Sequence, residues 1–108
     1  MNKQITQKSF IKEVMQKTGL VVVEFYADWS GLCQMMMPVY NKVAGSYSSA
    51  AGFYSVDVDN SPELKEQFGV MELPTVLFFR NGNVVDYVAG AVSKNAFITK
   101  MENVNTGL

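Results

Sequence analysis

The segment Leu20-Val21-Val22-Val23-Glu24-Phe25-Tyr26-Ala27 is short, nearly continuous in apolar character, and rich in β-branched and aromatic side chains. A strand with one face in water alternates apolar and polar residues. A run without that alternation predicts a strand buried on both faces, as in sheets covered by helices above and below. The chain must therefore supply helices for two layers, and the rest of its patterning does so.

Thr6 or Ser9 is placed to cap a first helix over residues 9–18, with Phe10, Val14, Ile11 and Met15 on its inner face and Gly19 at its end. Asp28-Trp29-Ser30-Gly31 breaks the apolar strand. A helix then runs from about 32 to 48, with Pro38 inside it, where a missing N–H predicts a kink. Residues 53–58 read as the next strand. Ser61-Pro62-Glu63 reads as a cap and a first-turn proline that start a helix ending at Phe68-Gly69. Residues 75–80 and 84–89 are two strands joined through Asn81-Gly82, a strong hairpin signal read here as a turn alone. Ser93 caps a last helix to about 104. The expected order is α-β-α-β-α-β-β-α, a mixed central sheet with helices on both faces.

At 108 residues the chain suits one domain, here 1–108, and its 48% hydrophobic content is enough to bury a real core. Lys and Arg total 9 against 10 for Asp and Glu, so charge gives no reason to expect nucleic acid. There is no His, which excludes Ser-His-Asp triads, Cys-His pairs and imidazole metal sites. Cys33 is the only cysteine, so neither an intramolecular disulfide nor a cysteine-built zinc site can form. The first sixteen residues mix charges with single apolar residues and do not read as a targeting signal. No apolar run approaches the ~18 residues of a membrane span, and no membrane partner is expected.

The chemistry concentrates where the buried strand ends, a loop follows and a helix begins, in Trp29-Ser30-Gly31-Leu32-Cys33-Gln34. A thiol near a helix N-terminus feels the positive end of the helix dipole, which favours the thiolate. A lone cysteine is more often an inert buried residue, and this position raises its interest.

This segment resembles the thioredoxin active site, Trp-Cys-Gly-Pro-Cys-Lys after a strand. Other features agree in order and spacing: Glu24 for a buried acid, Pro38 for the helix proline, Leu73-Pro74-Thr75 for the cis-proline loop, Phe79-Arg80-Asn81-Gly82 for the hairpin, and Gly90-Ala91 for the small pair after the last strand. The resemblance implies a thioredoxin-like α/β fold and thiol–disulfide exchange with disulfide-containing proteins. It implies a thioredoxin reductase as electron donor, no cofactor or metal, a monomer and a cytoplasmic setting. It assigns Ser30 to the nucleophile position, Cys33 to the resolving position and Glu24 to proton acceptance from Cys33. It assigns Trp29, Gly31, Leu32, Leu73, Pro74, Gly90 and Ala91 to substrate docking, with a cis Leu73–Pro74 bond and an extended partner segment pairing with the backbone at Leu73.

The departures carry as much information. A serine hydroxyl does not ionise near neutral pH and forms no disulfide, so a dithiol cycle cannot run through Ser30. Leu32 replaces a proline and Gln34 a lysine. Three readings of Ser30 stay open: an engineered Cys→Ser change, a natural serine in a non-catalytic relative, and a monothiol protein working through Cys33. The competing function is a binding module that holds extended peptides on the apolar rim of Trp29, Leu32, Met71, Leu73, Pro74 and Ala91. Elsewhere, the apolar strand around Glu24 predicts a raised pKa for its carboxyl. Met35, Met36 and Met37 fall on different helix faces and read as ordinary packing. Asp57 and Asp59 alternate along a strand and read as its solvated end.

Overall fold

A computed structural model describes residues 2–106. Five strands and four helices follow one another as β1 (Asn2–Ile5), α1 (Gln7–Phe10) with a π-helical turn over Ile11–Met15, β2 (Leu20–Tyr26), α2 (Gly31–Ser46), β3 (Gly52–Asp57), α3 (Pro62–Gln67), β4 (Thr75–Arg80), β5 (Asn83–Ala89) and α4 (Lys94–Asn105). The sheet order is β1-β3-β2-β4-β5. β1 and β2 run parallel to β3, while β4 runs antiparallel to β2 and β5 antiparallel to β4. This is the mixed, helix-covered sheet that the pattern predicts.

All seven residues of β2 are buried, which explains an apolar run interrupted only by Glu24. Val21, Val23 and Phe25 face one layer with Phe10 and Val14 of the first helical segment and Leu64 of α3. Leu20 and Val22 face the other, with Met36, Tyr40 and Val43 of α2 and Phe97 and Met101 of α4. Tyr40 is fully buried, and its hydroxyl donates toward the carbonyls of Val22 and Tyr54 at 3.0 and 2.6 Å, clasping β2 to β3.

Several expectations need correction. β1 is not apparent in the sequence, because an edge strand reading Asn-Lys-Gln-Ile buries only Ile5. The first helix starts earlier, with Thr6 as its N-cap. Its inner face is narrower than expected: Phe10 and Val14, four apart, are buried, while Ile11 and Met15, one residue further round, are exposed. Ser61 sits at the N-cap of α3, yet its hydroxyl accepts from the Gln7 N–H at 3.2 Å and ties two helix starts together. Asn81-Gly82 forms the two-residue turn, with both residues at positive φ, as hairpin twist requires. It does more than turn the chain. Asn81 Oδ1 accepts from the Gly19 N–H at 2.8 Å, and the Asn81 N–H donates to the Gly19 carbonyl. A Cβ on Gly82 would lie 2.5 Å from the Met15 carbonyl oxygen, so that position admits only glycine.

Candidate functional site

The site lies at the C-terminal end of β2, where strand hands over to helix. Ser30 is the N-cap of α2, in extended backbone conformation, and its Oγ accepts from the Cys33 N–H at 3.3 Å. That bond satisfies one of the orphan donors at a helix start. Ser30 thus has a structural job of its own, the capping of α2. Cys33 points inward on the face that also carries Met36 and Tyr40, and it is 1% exposed. Met35 is exposed and Met36 buried, as different helix faces demand. Gln34 Nε2 donates to the Asp28 carbonyl at 2.9 Å, bracing the loop from outside.

Trp29 and Leu32 flank Ser30 on the surface, 70% and 50% exposed. The indole N–H of Trp29 donates to Asp59 Oδ2 at 2.9 Å. Asp59 lies in the turn beyond β3, not on the strand, and Asp57 holds that turn by accepting from the Asp59 N–H at 2.9 Å. Its role escapes the sequence because it depends on two segments thirty residues apart meeting in space.

Opposite Ser30 stands the loop before β4. The Leu73–Pro74 peptide is cis. Pro74 is buried and Leu73 half-buried. The Gly90 N–H donates to the Pro74 carbonyl at 2.7 Å, which brings Gly90 and Ala91 against this loop. A groove of about 410 Å³ runs between the two sides, lined by Trp29, Ser30, Asp59, Met71, Glu72 and Leu73 among others. The structure therefore brings Trp29, Ser30 and Leu73 to one groove. Cys33 lies behind them and borders a separate hollow of about 280 Å³ with Tyr26, Met37 and Pro38.

Glu24 is fully buried, and neither carboxyl oxygen has a hydrogen-bond partner among the described residues. On β2 it shares the face of Val22, which packs under α2. It therefore lies in the same layer as Cys33 and Tyr40. Burial pushes its carboxyl up to about 8, because a charge without solvent or partner is strongly disfavoured. Burial, and after it the Glu24 charge, holds the Tyr40 hydroxyl well above its ordinary range.

Among the described residues no cluster of Cys, Asp and Glu is suited to hold a metal ion, and no helix is long and apolar enough to cross a membrane.

The comparisons with known proteins agree with this geometry. The Thioredoxin family profile matches residues 1–103. The chain is 34% identical over 99 residues to Thioredoxin 1 of a Nostoc species, covering 92% of each chain. It is 35% identical over 97 residues to the thioredoxin of Chlorobaculum thiosulfatiphilum, covering 90% of each. Against the thioredoxin of Rickettsia bellii it is 31% identical over 103 residues, covering 95% of this chain and 98% of the relative. With a family profile matched over residues 1–103 and relatives about a third identical over nearly the whole chain, this chain belongs to the thioredoxin family.

Proposed function

We propose that this chain is a single thioredoxin-like domain, built for thiol–disulfide exchange, whose dithiol cycle is interrupted at Ser30. In the full cycle a thiolate at position 30 attacks one sulfur of a partner disulfide. A mixed disulfide forms and the other partner sulfur leaves as a thiolate. The thiolate of Cys33 then attacks the mixed disulfide at the position-30 sulfur, releases the partner fully reduced, and leaves the protein oxidised. Glu24 takes the proton of Cys33. Serine oxygen supplies neither the attack nor the mixed disulfide. The observation that carries the reading is the arrangement at the start of α2: Ser30 faces the docking groove, while the only thiol is 1% exposed behind it. Disulfide-containing proteins as substrates, a thioredoxin reductase as donor, a monomeric state and a cytoplasmic setting follow by family analogy.

A second reading has its own support. Trp29, Leu32 and Met71 are 70%, 50% and 90% exposed around the groove, an apolar rim suited to holding an extended peptide. In that reading docking is the whole activity, with Leu73, Pro74, Gly31, Gly90 and Ala91 shaping the surface.

Reduction of insulin disulfides by the chain and by Ser30→Cys separates the two. The serine form is expected to show no turnover and the cysteine form a gain of at least about a hundredfold. Comparable rates for both forms would overturn the assignment of position 30. An inactive Ser30→Cys protein would favour the binding module.

A further inference from the structure

Beside the docking groove lies a second one, of about 430 Å³, between the C-terminal end of α3 and the outer strands of the sheet. Its floor includes Phe68 and Leu77, and Val84 and Tyr87 of β5 form its far wall. Its origin is local. The register pairs Phe79 with Val84 and Leu77 with Tyr87, so a bulge inserts one extra residue in β5. Val84 and Tyr87, three apart, thereby share the face of Leu77 and Phe79. α3 ends at Gln67, and the first helical segment reaches Phe79 of β4 and the turn at Gly82 but leaves Val84 and Tyr87 of β5 exposed. On the opposite face α4 does cover β5, and Lys100 pairs with Asp86 there at 3.2 Å. The uncovered strip leaves Val84 46% and Tyr87 60% exposed.

We propose that this second groove extends the partner-docking surface and takes an apolar side chain of an extended partner segment, with a neighbouring Lys or Arg against Glu72. The proposal rests on the docking reading above and specifies the partner's chemistry. Continuity supports it: Met71 and Glu72 line both grooves. Leu73, which lines the first groove, follows Met71 and Glu72 directly in the chain, so the second groove begins two residues from the cis-proline loop. Charge supports the basic neighbour. Among the described residues Glu72 is the only charged one lining the second groove, and it is exposed. Its carboxylate forms no ion pair among the described residues. An acidic neighbour in the partner would be repelled there.

The test uses the Ser30→Cys, Cys33→Ser double variant, which holds a cysteine peptide as a mixed disulfide because no resolving thiol remains. The probes are blocked nonapeptides with a central Cys in a Gly-Ser frame, and a Leu-Lys pair walked through the positions on either side. Each is equilibrated with the protein against a glutathione buffer. At one offset the Leu-Lys peptide is expected to be held about tenfold better than the frame peptide, which is what burying most of one aliphatic side chain yields. Leu-Glu at that offset should be held less well than Leu-Lys, and Glu72→Lys should reverse the order. Tyr87→Ser and Val84→Ser, both at exposed positions, should remove the gain while leaving the frame peptide's affinity unchanged. A frame peptide that perturbs the Trp29 and Leu73 amide resonances, with no gain at any offset, would overturn the second groove and leave docking standing. No perturbation of Trp29 or Leu73 would overturn docking and the groove with it. A dimer of the unmodified chain in sedimentation, dissociated by Tyr87→Ser, would assign the groove to a second copy and likewise overturn the proposal.

Discussion

The indole N–H of Trp29 meets Asp59 Oδ2 at 2.9 Å, and both residues line the groove beside Ser30. Trp29 is largely exposed, so packing alone does not hold its ring. A surface loop residue becomes a positioned platform because a turn thirty residues away supplies an acceptor. Asp59→Ala is therefore expected to change stability by less than about 1 kcal/mol, since the bond is solvent-exposed. The same substitution should broaden or shift the Trp29 side-chain N–H resonance and weaken peptide docking. An unchanged indole resonance would show that the ring is held by something else.

Ser30 caps α2 through its bond to the Cys33 N–H. Ser30→Ala is expected to cost about 1 kcal/mol in denaturant unfolding, the usual value for a lost N-cap, and Ser30→Asp to cost little. Equal stability of the alanine form would mean that the 3.3 Å contact contributes nothing.

Glu24 makes stability depend on pH in a stated direction. Its carboxyl lies near 8 in the folded protein against an ordinary value of 4.5. Below 4.5 both states hold the proton and the group is silent. Between the two values the unfolded chain ionises while the folded one stays protonated, so rising pH favours unfolding, and above about 8 the effect levels off. The accumulated loss is on the order of 5 kcal/mol if the whole shift is realised. Glu24→Gln is expected to remove this slope, so the variant should gain stability relative to the parent as pH rises from 5 to 8 in urea titrations. Parallel pH profiles for the two proteins would contradict the unpartnered burial of the carboxyl.

Cys33 is 1% exposed, so a reagent reaches its sulfur only when the structure opens. Alkylation by iodoacetamide at neutral pH is expected to be at least about a hundredfold slower in the native state than in urea, because it must wait for local unfolding. Disulfide-linked dimers should be scarce for the same steric reason. Rapid native alkylation would favour the monothiol reading of the protein.

The local patterns were enough to predict β2, the hairpin at Asn81-Gly82, the helix that starts beside Ser30 and the buried acid at Glu24, because each rests on near-neighbour chemistry: a run of apolar residues, a turn needing positive φ, a cap, a carboxyl in an apolar strand. The motif order likewise located Ser30, Cys33 and Pro74. Relationships between distant segments lay beyond it. β1 buries one residue of four and carries no pattern of its own; it exists because β3 offers a free edge. Asp59 looked like a solvated acid until the fold set it against Trp29. Ser61 looked like the cap of its own helix, but its hydroxyl instead serves Gln7. The second groove arises from a bulge in β5 and the early end of α3, neither legible in residue type. Side-chain periodicity and capping act over a few residues and leave their mark in the sequence, whereas edge pairing, cross-segment hydrogen bonds and uncovered faces depend on which distant elements the packed sheet brings side by side.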